Sequence, residues 1–191
     1  MTMGKLFAGQ FFSKQDIAEH ALTKGEYENC TFKNADFAES DLSGFIFAEC
    51  EFVDCNLSLA KLTKTTIRDV KFTGCKMLGL RFDACNQFAL SFGFESCTLN
   101  HSSFYQTKLK KTGFKDIQLH EVDFTGCDLS AAVFDNCDLK DATFDNTILE
   151  KVDFRTAYNY IINPELNRLK KAKFSLSGLP GLLEKYGIEV E

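Results

Sequence analysis

Residues 94–154 read FESCTLNHSSFYQTKLKKTGFKDIQLHEVDFTGCDLSAAVFDNCDLKDATFDNTILEKVDF, and every fifth residue in this stretch is Phe or Leu. The two residue types alternate without exception from Phe94 to Phe154. A period of five matches neither the 3.6 residues of a helical turn nor the two-residue alternation of a strand. The chain therefore presents one large apolar side chain, turns a corner and presents the next. The preceding part of the chain carries the same period in another phase: Leu22, Tyr27, Phe32, Phe37, Leu42, Phe47, Phe52, Leu57, Leu62, Ile67, Phe72, Met77 and Phe82.

A second inward position lies two residues before each large one and holds mostly small or medium residues. The cysteines of the chain occur at this position. Their placement favours buried, reduced thiols over disulfides or a metal site, because free Cys packs as a small apolar residue. Parallel side chains one coil apart also suit a disulfide poorly. The other three positions are largely polar, so we predict stacked coils with a solid apolar interior. All eight cysteines occupy the second inward position: Cys30, Cys50, Cys55, Cys75, Cys85, Cys97, Cys127 and Cys137.

The Phe/Leu alternation predicts a coil with four sides. Two sides would be too thin for Phe, and six would leave a void. With four sides, each Phe stacks on another Phe at the inter-strand spacing of about 4.8 Å. The predicted ladders are Phe94, Phe114, Phe134, Phe154; opposite it Phe104, Phe124, Phe144; and, on the remaining sides, Leu99, Leu119, Leu139 and Leu109, Leu129, Leu149.

This pattern resembles the pentapeptide-repeat proteins, whose consensus is a small residue, Asp or Asn, Leu or Phe, and two polar residues. Clear instances are Ala35-Asp36-Phe37, Ser40-Asp41-Leu42, Cys55-Asn56-Leu57, Cys127-Asp128-Leu129 and Cys137-Asp138-Leu139. The resemblance implies an all-β fold, a right-handed quadrilateral β-helix with short C-terminal helices. The rod would be about 30 Å long at the inter-strand spacing.

Three segments follow from where the repeat holds. Residues 1–21 are expected to form a degenerate first coil or an N-terminal cap, and residues 22–156 the β-helix. The phase changes near residues 85–94, which we interpret as a two-residue bulge that joins two half-rods at a corner. A recognition site at this irregularity is the alternative. Residues 157–191 are expected to form a C-terminal helical cap or dimerisation segment.

Helix signals mark the C-terminal segment. Asn163 followed by Pro164 predicts a helix that runs to about Lys170. Ala172 and Phe174 return to the period, and a last short helix is expected to stop at Gly187. The ending resembles the tails of the quinolone-resistance pentapeptide proteins and the microcin B17 immunity protein, which implies a homodimer. The alternative is a monomeric cap that uses the same apolar residues: Leu179, Leu182, Leu183, Tyr186 and Ile188.

Charge is divided into bands along the chain, although the formal net charge is only −5. Residues 26–54 carry a net charge of −7, residues 61–115 carry +7, and residues 116–153 carry −8. A surface that carries charges of both signs is what any soluble rod needs. Segregation of this size nevertheless indicates an electrostatic footprint for a partner.

No motif for catalysis is found. His101 and His120 are predicted to neighbour each other on adjacent coils beside Glu121, but a convex rod offers no pocket to hold a substrate. We therefore predict a protein that is not an enzyme and has no cofactor or metal. No apolar run is long enough to span a membrane and no leader is evident, so a cytoplasmic location without membrane contact is expected.

The resemblance implies a protein-interaction module that acts as a DNA mimic, binds DNA gyrase or topoisomerase IV and modulates quinolone or toxin action. It would contact a protein partner and no nucleic acid directly. The alternative is a scaffold for a different protein partner without gyrase activity, since the basic middle band opposes mimicry and no long loop interrupts the repeat. The candidate partner-binding residues are Glu121, Asp123, Asp128, Asp135, Asp138, Asp141, Asp145, Glu150 and Asp153.

Overall fold

The computed structural model describes residues 5–188, which wind into a quadrilateral β-helix of stacked parallel coils. Phe114 pairs with Phe94 in the preceding coil and with Phe134 in the next. No helix in this part of the chain is long and apolar enough to cross a membrane. The strands are β1 (Lys5–Ala8), β2 (Phe11–Phe12), β3 (Gly25–Glu28), β4 (Thr31–Lys33), β5 (Ile46–Ala48), β6 (Glu51–Val53), β7 (Thr66–Arg68), β8 (Val70–Thr73), β9 (Phe92–Glu95), β10 (Gly113–Lys115) and β11 (Val133–Asp135).

Each wall of the rod is named by its inward ladder. The first wall contains β2, β4, β6, β8, β9, β10 and β11, in that spatial order. The second wall carries Leu99, Leu119 and Leu139, and the third carries Phe104, Phe124 and Phe144. The fourth wall begins with β1, β3, β5 and β7, and continues through Leu109, Leu129 and Leu149.

The predicted Phe ladders are confirmed. On the first wall the rings of Phe94, Phe114, Phe134 and Phe154 stack with centroids 4.6–5.6 Å apart. The first-wall and third-wall rings meet edge to face, as Phe124 and Phe134 do at 5.9 Å. Both arrangements suit the quadrupole of an aromatic ring. The whole first-wall ladder is Phe12, Phe32, Phe52, Phe72, Phe94, Phe114, Phe134, Phe154 and Phe174.

The corners share one backbone conformation. The residue two places after each large apolar one has a positive φ at almost every corner, as at Asn136 (φ 51) and Asp141 (φ 58). Left-handed backbone is least unfavourable for Gly, Asn and Asp, which explains much of the polar composition of that position. The Asp or Asn before the large residue accepts a hydrogen bond from the backbone N–H two residues later, as Asp36 does from Ala38. The repeat therefore encodes the turn as well as the core.

Side chains at the small inward position also donate hydrogen bonds to the preceding coil. The thiol of Cys50 donates to the carbonyl oxygen of Tyr27 in the preceding coil, and the hydroxyl of Thr147 donates to that of Phe124. All eight cysteines are buried free thiols. Burial raises the pKa of Cys85, Cys127 and Cys137 to about 12. These thiols remain protonated at neutral pH and act as small core residues.

The phase break is a local insertion on the fourth wall. Asn86 still contacts Thr66, its partner 20 residues earlier, whereas Phe92 pairs with Val70, 22 residues earlier. The two extra residues are accommodated between these two contacts. The first-wall ladder continues across the break, with Phe72 and Phe94 stacked at 5.4 Å.

The N-terminal residues that the structure describes form a first coil that is closed by a helix. β1 and β2 pair in register with β3 and β4, so Phe7 stacks on Tyr27 and Phe12 on Phe32. Helix α1 (Lys14–Glu19) follows, with Ser13 and Asp16 in a capping box. The weak repeat in this region thus still winds one coil.

The helix expected from Asn163 to Lys170 is wrong. Asn163 accepts a hydrogen bond from the N–H of Glu165, but this bond closes a single turn. The backbone of Arg168 then pairs with Ile148, and Phe174 stacks on Phe154 at 5.4 Å. Pairing with the preceding coil satisfies the backbone there, so the local helix signal is overridden. The last segment contains α2 (Pro180–Leu183) between single 3-10 turns at Leu176–Gly178 and Glu184–Tyr186, and it ends at Gly187 (φ 62) as predicted.

Candidate interaction surface

The nine candidate partner-binding acids lie on all four walls. Asp135 and Asp153 are on the first wall, and Glu121, Asp138 and Asp141 are on or at the edge of the second. Asp123 and Asp145 lie on the third wall, and Asp128 and Glu150 on the fourth. They form a belt around the rod over about two coils, because a five-residue period moves each successive repeat to the next wall.

Four of these acids have a structural task. Asp123, Asp128, Asp138 and Asp153 stand directly before a large inward residue, and each accepts a hydrogen bond from the backbone N–H two residues later. These bonds close the corner turns. Their carboxylates are therefore only partly available to a partner.

Further bonds hold three of these turn carboxylates. Asp138 is bonded to Nε2 of His120 at 2.8 Å and to Nδ2 of Asn159 at 2.8 Å. Burial works to raise the pKa of Asp138, but these hydrogen bonds outweigh it and the pKa is lowered. Asp128 likewise has a lowered pKa, because bonds from Ser130 and Lys110 outweigh its burial. For Asp153, bonds from Arg155 are the main cause of the lowered pKa.

The other five acids project more freely. Glu121 pairs with His101 at 3.3 Å, and Asp135 accepts a bond from the hydroxyl of Thr156. Asp145 accepts one from Asn146. Within residues 5–188, Asp141 and Glu150 make no side-chain hydrogen bond or ion pair. These five carboxylates are the ones that a partner can reach without breaking a turn.

Acidic and basic residues are divided between the walls of the rod as well as between the bands along the sequence. Between residues 118 and 146, the second and third walls carry five acids and one base, Lys140. The fourth wall from Lys108 to Lys171 is mainly basic, with seven bases and two acids, Asp128 and Glu150. The basic side chains of this wall are Lys108, Lys110, Lys111, Lys151, Arg168, Lys170 and Lys171. The sequence bands did not reveal this division, because wall assignment needs the exact register.

The two histidines neighbour each other on adjacent coils with Glu121 close by, as expected. The backbone of His101 bonds to that of His120, as adjacent coils require. The imidazoles turn to different acids, His101 to Glu121 and His120 to Asp138. No group of three or more metal-ligating side chains occurs among the described residues.

The candidate dimerisation residues divide into covered and exposed ones. Leu182 packs against the core, and Leu183 is half-buried. Leu179, Tyr186 and Ile188 are exposed, although the hydroxyl of Tyr186 donates to Glu165 at 3.0 Å. Two exposed apolar residues of the same end were missed from the sequence: Leu166, and Leu176, which is 87% exposed. Neither follows the period, so no pattern pointed to them.

The C-terminal segment folds back onto the last coil. The N–H of Ile162 donates to the carbonyl oxygen of Gly181 at 2.9 Å. The hydroxyl of Tyr160 is buried, has no hydrogen-bond partner among the described residues and faces Gly178. A groove of about 720 Å³ runs along this contact, between the segment and the second-wall residues Tyr158 and Asn159.

Comparison with known proteins agrees with the fold. A sequence profile described as a pentapeptide repeat region matches residues 25–104 and 91–158. A trypsin-treated variant of QnrB1, a plasmid-mediated fluoroquinolone resistance protein, has 22% identity and a TM-score of 0.50 over 99% of each chain. HetL, a pentapeptide repeat protein involved in heterocyst differentiation regulation from the cyanobacterium Nostoc sp. strain PCC 7120, has 16% identity and a TM-score of 0.42 over 88% of this chain and 84% of that chain.

No curated protein matches the chain. Proteins with this fold are generally structural or interaction modules. The profile covers more than half of the sequence, and the coil geometry agrees with it over the same residues. The chain therefore belongs to the pentapeptide-repeat family.

Proposed function

We propose that this protein is a non-enzymatic interaction module that binds a type II topoisomerase, DNA gyrase or topoisomerase IV, by imitating DNA. The proposal starts from the resemblance of the repeat to the quinolone-resistance and microcin B17 immunity branch. Modulation of quinolone or toxin action would follow, because a mimic that occupies the DNA-binding surface competes with DNA there. The observation that carries the proposal is the acidic surface of the second and third walls.

The density of negative charge on this acidic surface approaches that of DNA. Duplex DNA carries one negative charge per about 1.7 Å of helix axis. Two coils span about 10 Å, over which a duplex would present about six charges. The second and third walls present a net charge of −4 over two coils, because Lys140 offsets one of five acids: Glu121, Asp123, Asp138, Asp141 and Asp145.

The acids do not contribute equally to this surface. The carboxylates of Asp123 and Asp138 are partly engaged in corner turns. Glu121 and Asp141 are exposed, and Asp145 is half-buried but bonds to no corner N–H. We propose the latter three as the main contacts. Asp128, Asp135, Glu150 and Asp153 lie on the other two walls and would flank the contact.

We also propose a homodimer through the C-terminal segment. Exposed Leu179, Tyr186 and Ile188 would meet the same residues of a second copy, and Leu166 and Leu176 extend this apolar end. The last coil would lie between the acidic surfaces of the two copies in this dimer. Residues 155–173 carry five bases and one acid, so this dimer would place a basic coil of each copy between the two acidic surfaces.

The experiment is a gyrase supercoiling assay with and without a fluoroquinolone, together with measured binding to gyrase. The variant is Glu121→Gln/Asp141→Asn/Asp145→Asn. Asp138 is left intact because it closes a turn and bonds His120 and Asn159. Three lost contacts at about 0.5 kcal/mol each should weaken binding about tenfold.

The matched control is Glu28→Gln/Glu39→Gln/Glu49→Gln, which removes three negative charges from the acidic band of residues 26–54. Binding by this control should stay close to that of the wild type. Equal loss in both variants would point to net charge alone and reject the proposed surface. Wild-type protein that neither inhibits supercoiling nor relieves the drug would reject the gyrase proposal itself.

The alternative function, a scaffold for another protein partner, is favoured by one observation. The largest departure from the repeat between Gly25 and Phe154 is two residues, so no long loop projects from this part of the rod to engage an enzyme. In this case the supercoiling assay would show no effect. The basic wall would then be the more informative surface.

A further inference from the structure

A recess in the surface of the rod lies beside the insertion on the fourth wall. Its volume is about 380 Å³, and it lies where the fourth wall meets the first. The apolar part of its lining comes from Val70, Leu90 and Phe92, together with the bare backbone of Gly93. No heavy atom lies within 4 Å of where a Gly93 side chain would begin. Val70 and Phe92 are buried in the core, so the apolar surface that the recess offers to solvent comes from half-buried Leu90 and the backbone at Gly93.

Four lysines surround this apolar surface: Lys71, Lys108, Lys110 and Lys111. Lys108 and Lys111 make no ion pair with any of residues 5–188, whereas Lys110 pairs with Asp128 at 3.2 Å and Lys71 with Glu51 at 3.5 Å. The one acid in the lining is Asp69, whose carboxylate accepts a hydrogen bond from Ser91. The rim is thus strongly positive.

The inserted segment is held rigidly by its own hydrogen bonds. The amide of Gln87 donates to the carbonyl oxygens of Phe82, Asp83 and Cys85 at 3.0–3.3 Å. The side chain of Asn86 accepts from the N–H of Phe88 at 3.1 Å. This arrangement holds Phe88, which is 83% exposed, two residues before Leu90 of the recess. Aromatic side chains are enriched at protein interfaces, so an exposed phenylalanine at this place favours a protein partner.

We propose that this recess, with Phe88 beside it, is a docking site for an acidic, hydrophobic segment of a protein partner. Apolar side chains of the segment would cover Leu90 and Phe88, and its carboxylates would meet Lys108 and Lys111. Because Lys108 and Lys111 have no ion pair to give up, the electrostatic gain is not offset by a broken pair.

A nucleic acid suits this site less well. A phosphate chain that followed the fourth wall from Lys108 towards Arg168 would pass Asp128 and Glu150, which lie in the two intervening coils. The recess itself is apolar and concave, whereas a phosphate backbone needs a continuous cationic track. The acidic segment is therefore the occupant that the geometry favours.

This site is separate from the acidic surface proposed for gyrase, which lies on the second and third walls. Failure of one proposal does not affect the other, because their variants share no residue. The probe is a short fluorescein-labelled peptide that alternates glutamate with leucine and phenylalanine. Its binding is measured by fluorescence anisotropy, at several salt concentrations.

The test variants are Lys108→Ala/Lys111→Ala and Phe88→Ser. The matched control is Arg168→Ala/Lys171→Ala, which removes the same charge from the same two positions of the same wall, three coils away. We expect each test variant to weaken binding at least about tenfold. The control should change binding less than about twofold, and circular dichroism should show that all variants are folded.

Several results would overturn the proposal. No binding at millimolar peptide would reject it, as would equal loss in the test and control lysine variants. Equal affinity for polyglutamate, with no effect of Phe88→Ser, would show attraction by charge alone. Displacement of the peptide by duplex DNA at low micromolar concentration would assign the site to nucleic acid. Self-association that Lys108→Ala/Lys111→Ala abolishes would assign it to a second copy of the chain.

Discussion

Phe124 stacks between Phe104 and Phe144 and meets Phe114 and Phe134 edge to face. Its side chain is fully buried. Replacement by Ala leaves a cavity that the flanking coils cannot fill, because each inward slot is already occupied. Phe124→Ala should lower the free energy of unfolding by about 3–5 kcal/mol, measured by urea denaturation.

The control for this prediction is Phe88→Ala, at an exposed phenylalanine. It should change stability by no more than about 0.5 kcal/mol. Similar losses in the two variants would contradict the view that the inward ladder, and not aromatic content as such, holds the coils together.

Asp128 shows that an acid of the repeat can be structural. It accepts bonds from the N–H and the hydroxyl of Ser130, and it pairs with Lys110. Asp128→Ala should cost about 1 kcal/mol of stability, since one net hydrogen bond is worth about that much. Glu150→Ala, on the same wall and without such bonds, should be neutral. Equal thermal shifts in the two variants would show that the turn bond is not needed.

The lowered pKa values of Asp128, Asp138 and Asp153 predict a loss of stability in acid. A carboxyl group whose pKa is lower when folded stabilises the fold above its unfolded pKa of about 3.9, and this contribution disappears as the pH falls through the folded value. The melting temperature should therefore fall steadily below about pH 4. Asp128→Ala should flatten this dependence, and an unchanged slope in that variant would contradict the assignment.

At the scale of elements, the C-terminal segment depends on close contact with the last coil. A methyl group on Gly181 would collide with the carbonyl oxygen of Tyr160, which adjoins the bond between Ile162 and Gly181. Gly181→Ala should therefore release residues 176–188 and leave the β-helix intact. Hydrogen exchange should show faster exchange confined to this segment.

Gly113→Ala is the matched control, because nothing lies within 4 Å of its new methyl group. Exchange in this variant should match the wild type. If residues 176–188 exchange as slowly in Gly181→Ala as in the wild type, the close contact between Gly181 and Tyr160 does not hold the segment in place.

Elements were predicted well where the period set them and poorly where it did not. The strands of the first wall follow from Phe every twenty residues, since each ring must stack on its equivalent. The helix from Asn163 was wrong because a local cap signal cannot report that Thr147 and Leu149 offer backbone partners in the preceding coil. A capping residue and a turn residue use the same side-chain bond.

At the scale of the whole molecule, the proposed dimer is directly testable. Leu176 is the most exposed large apolar residue of the C-terminal end. Leu176→Glu should convert the dimer to a monomer in sedimentation velocity, because it places a charge in the proposed contact. Its melting temperature at low protein concentration should stay unchanged.

Leu59→Glu is the control, since Leu59 is exposed on the side of the rod, far from the C-terminal end in sequence. It should remain dimeric. A wild-type protein that is monomeric at high micromolar concentration would reject the dimer and leave the C-terminal segment as a cap.

The candidate surfaces were predictable only in part. Net charge along the chain located acidic residues 116–153 and the basic residues before them. The sequence did not indicate which acids close turns, as Asp138 does, or which remain free, as Asp141 does. It also did not reveal the recess beside Phe88, since two inserted residues reshape the surface only through the coils stacked on either side.

The sequence alone determined the coil: the number of its sides, the identity of its inward ladders and the polar composition of its corners. These features follow from a strictly local rule, because a large apolar side chain at every fifth residue can be buried only if the backbone turns between them. The tertiary structure decided which charges share a wall, how the insertion is absorbed and where the C-terminal segment docks. These depend on contacts between residues about twenty or more positions apart, where a shift of one or two residues moves a side chain to another face.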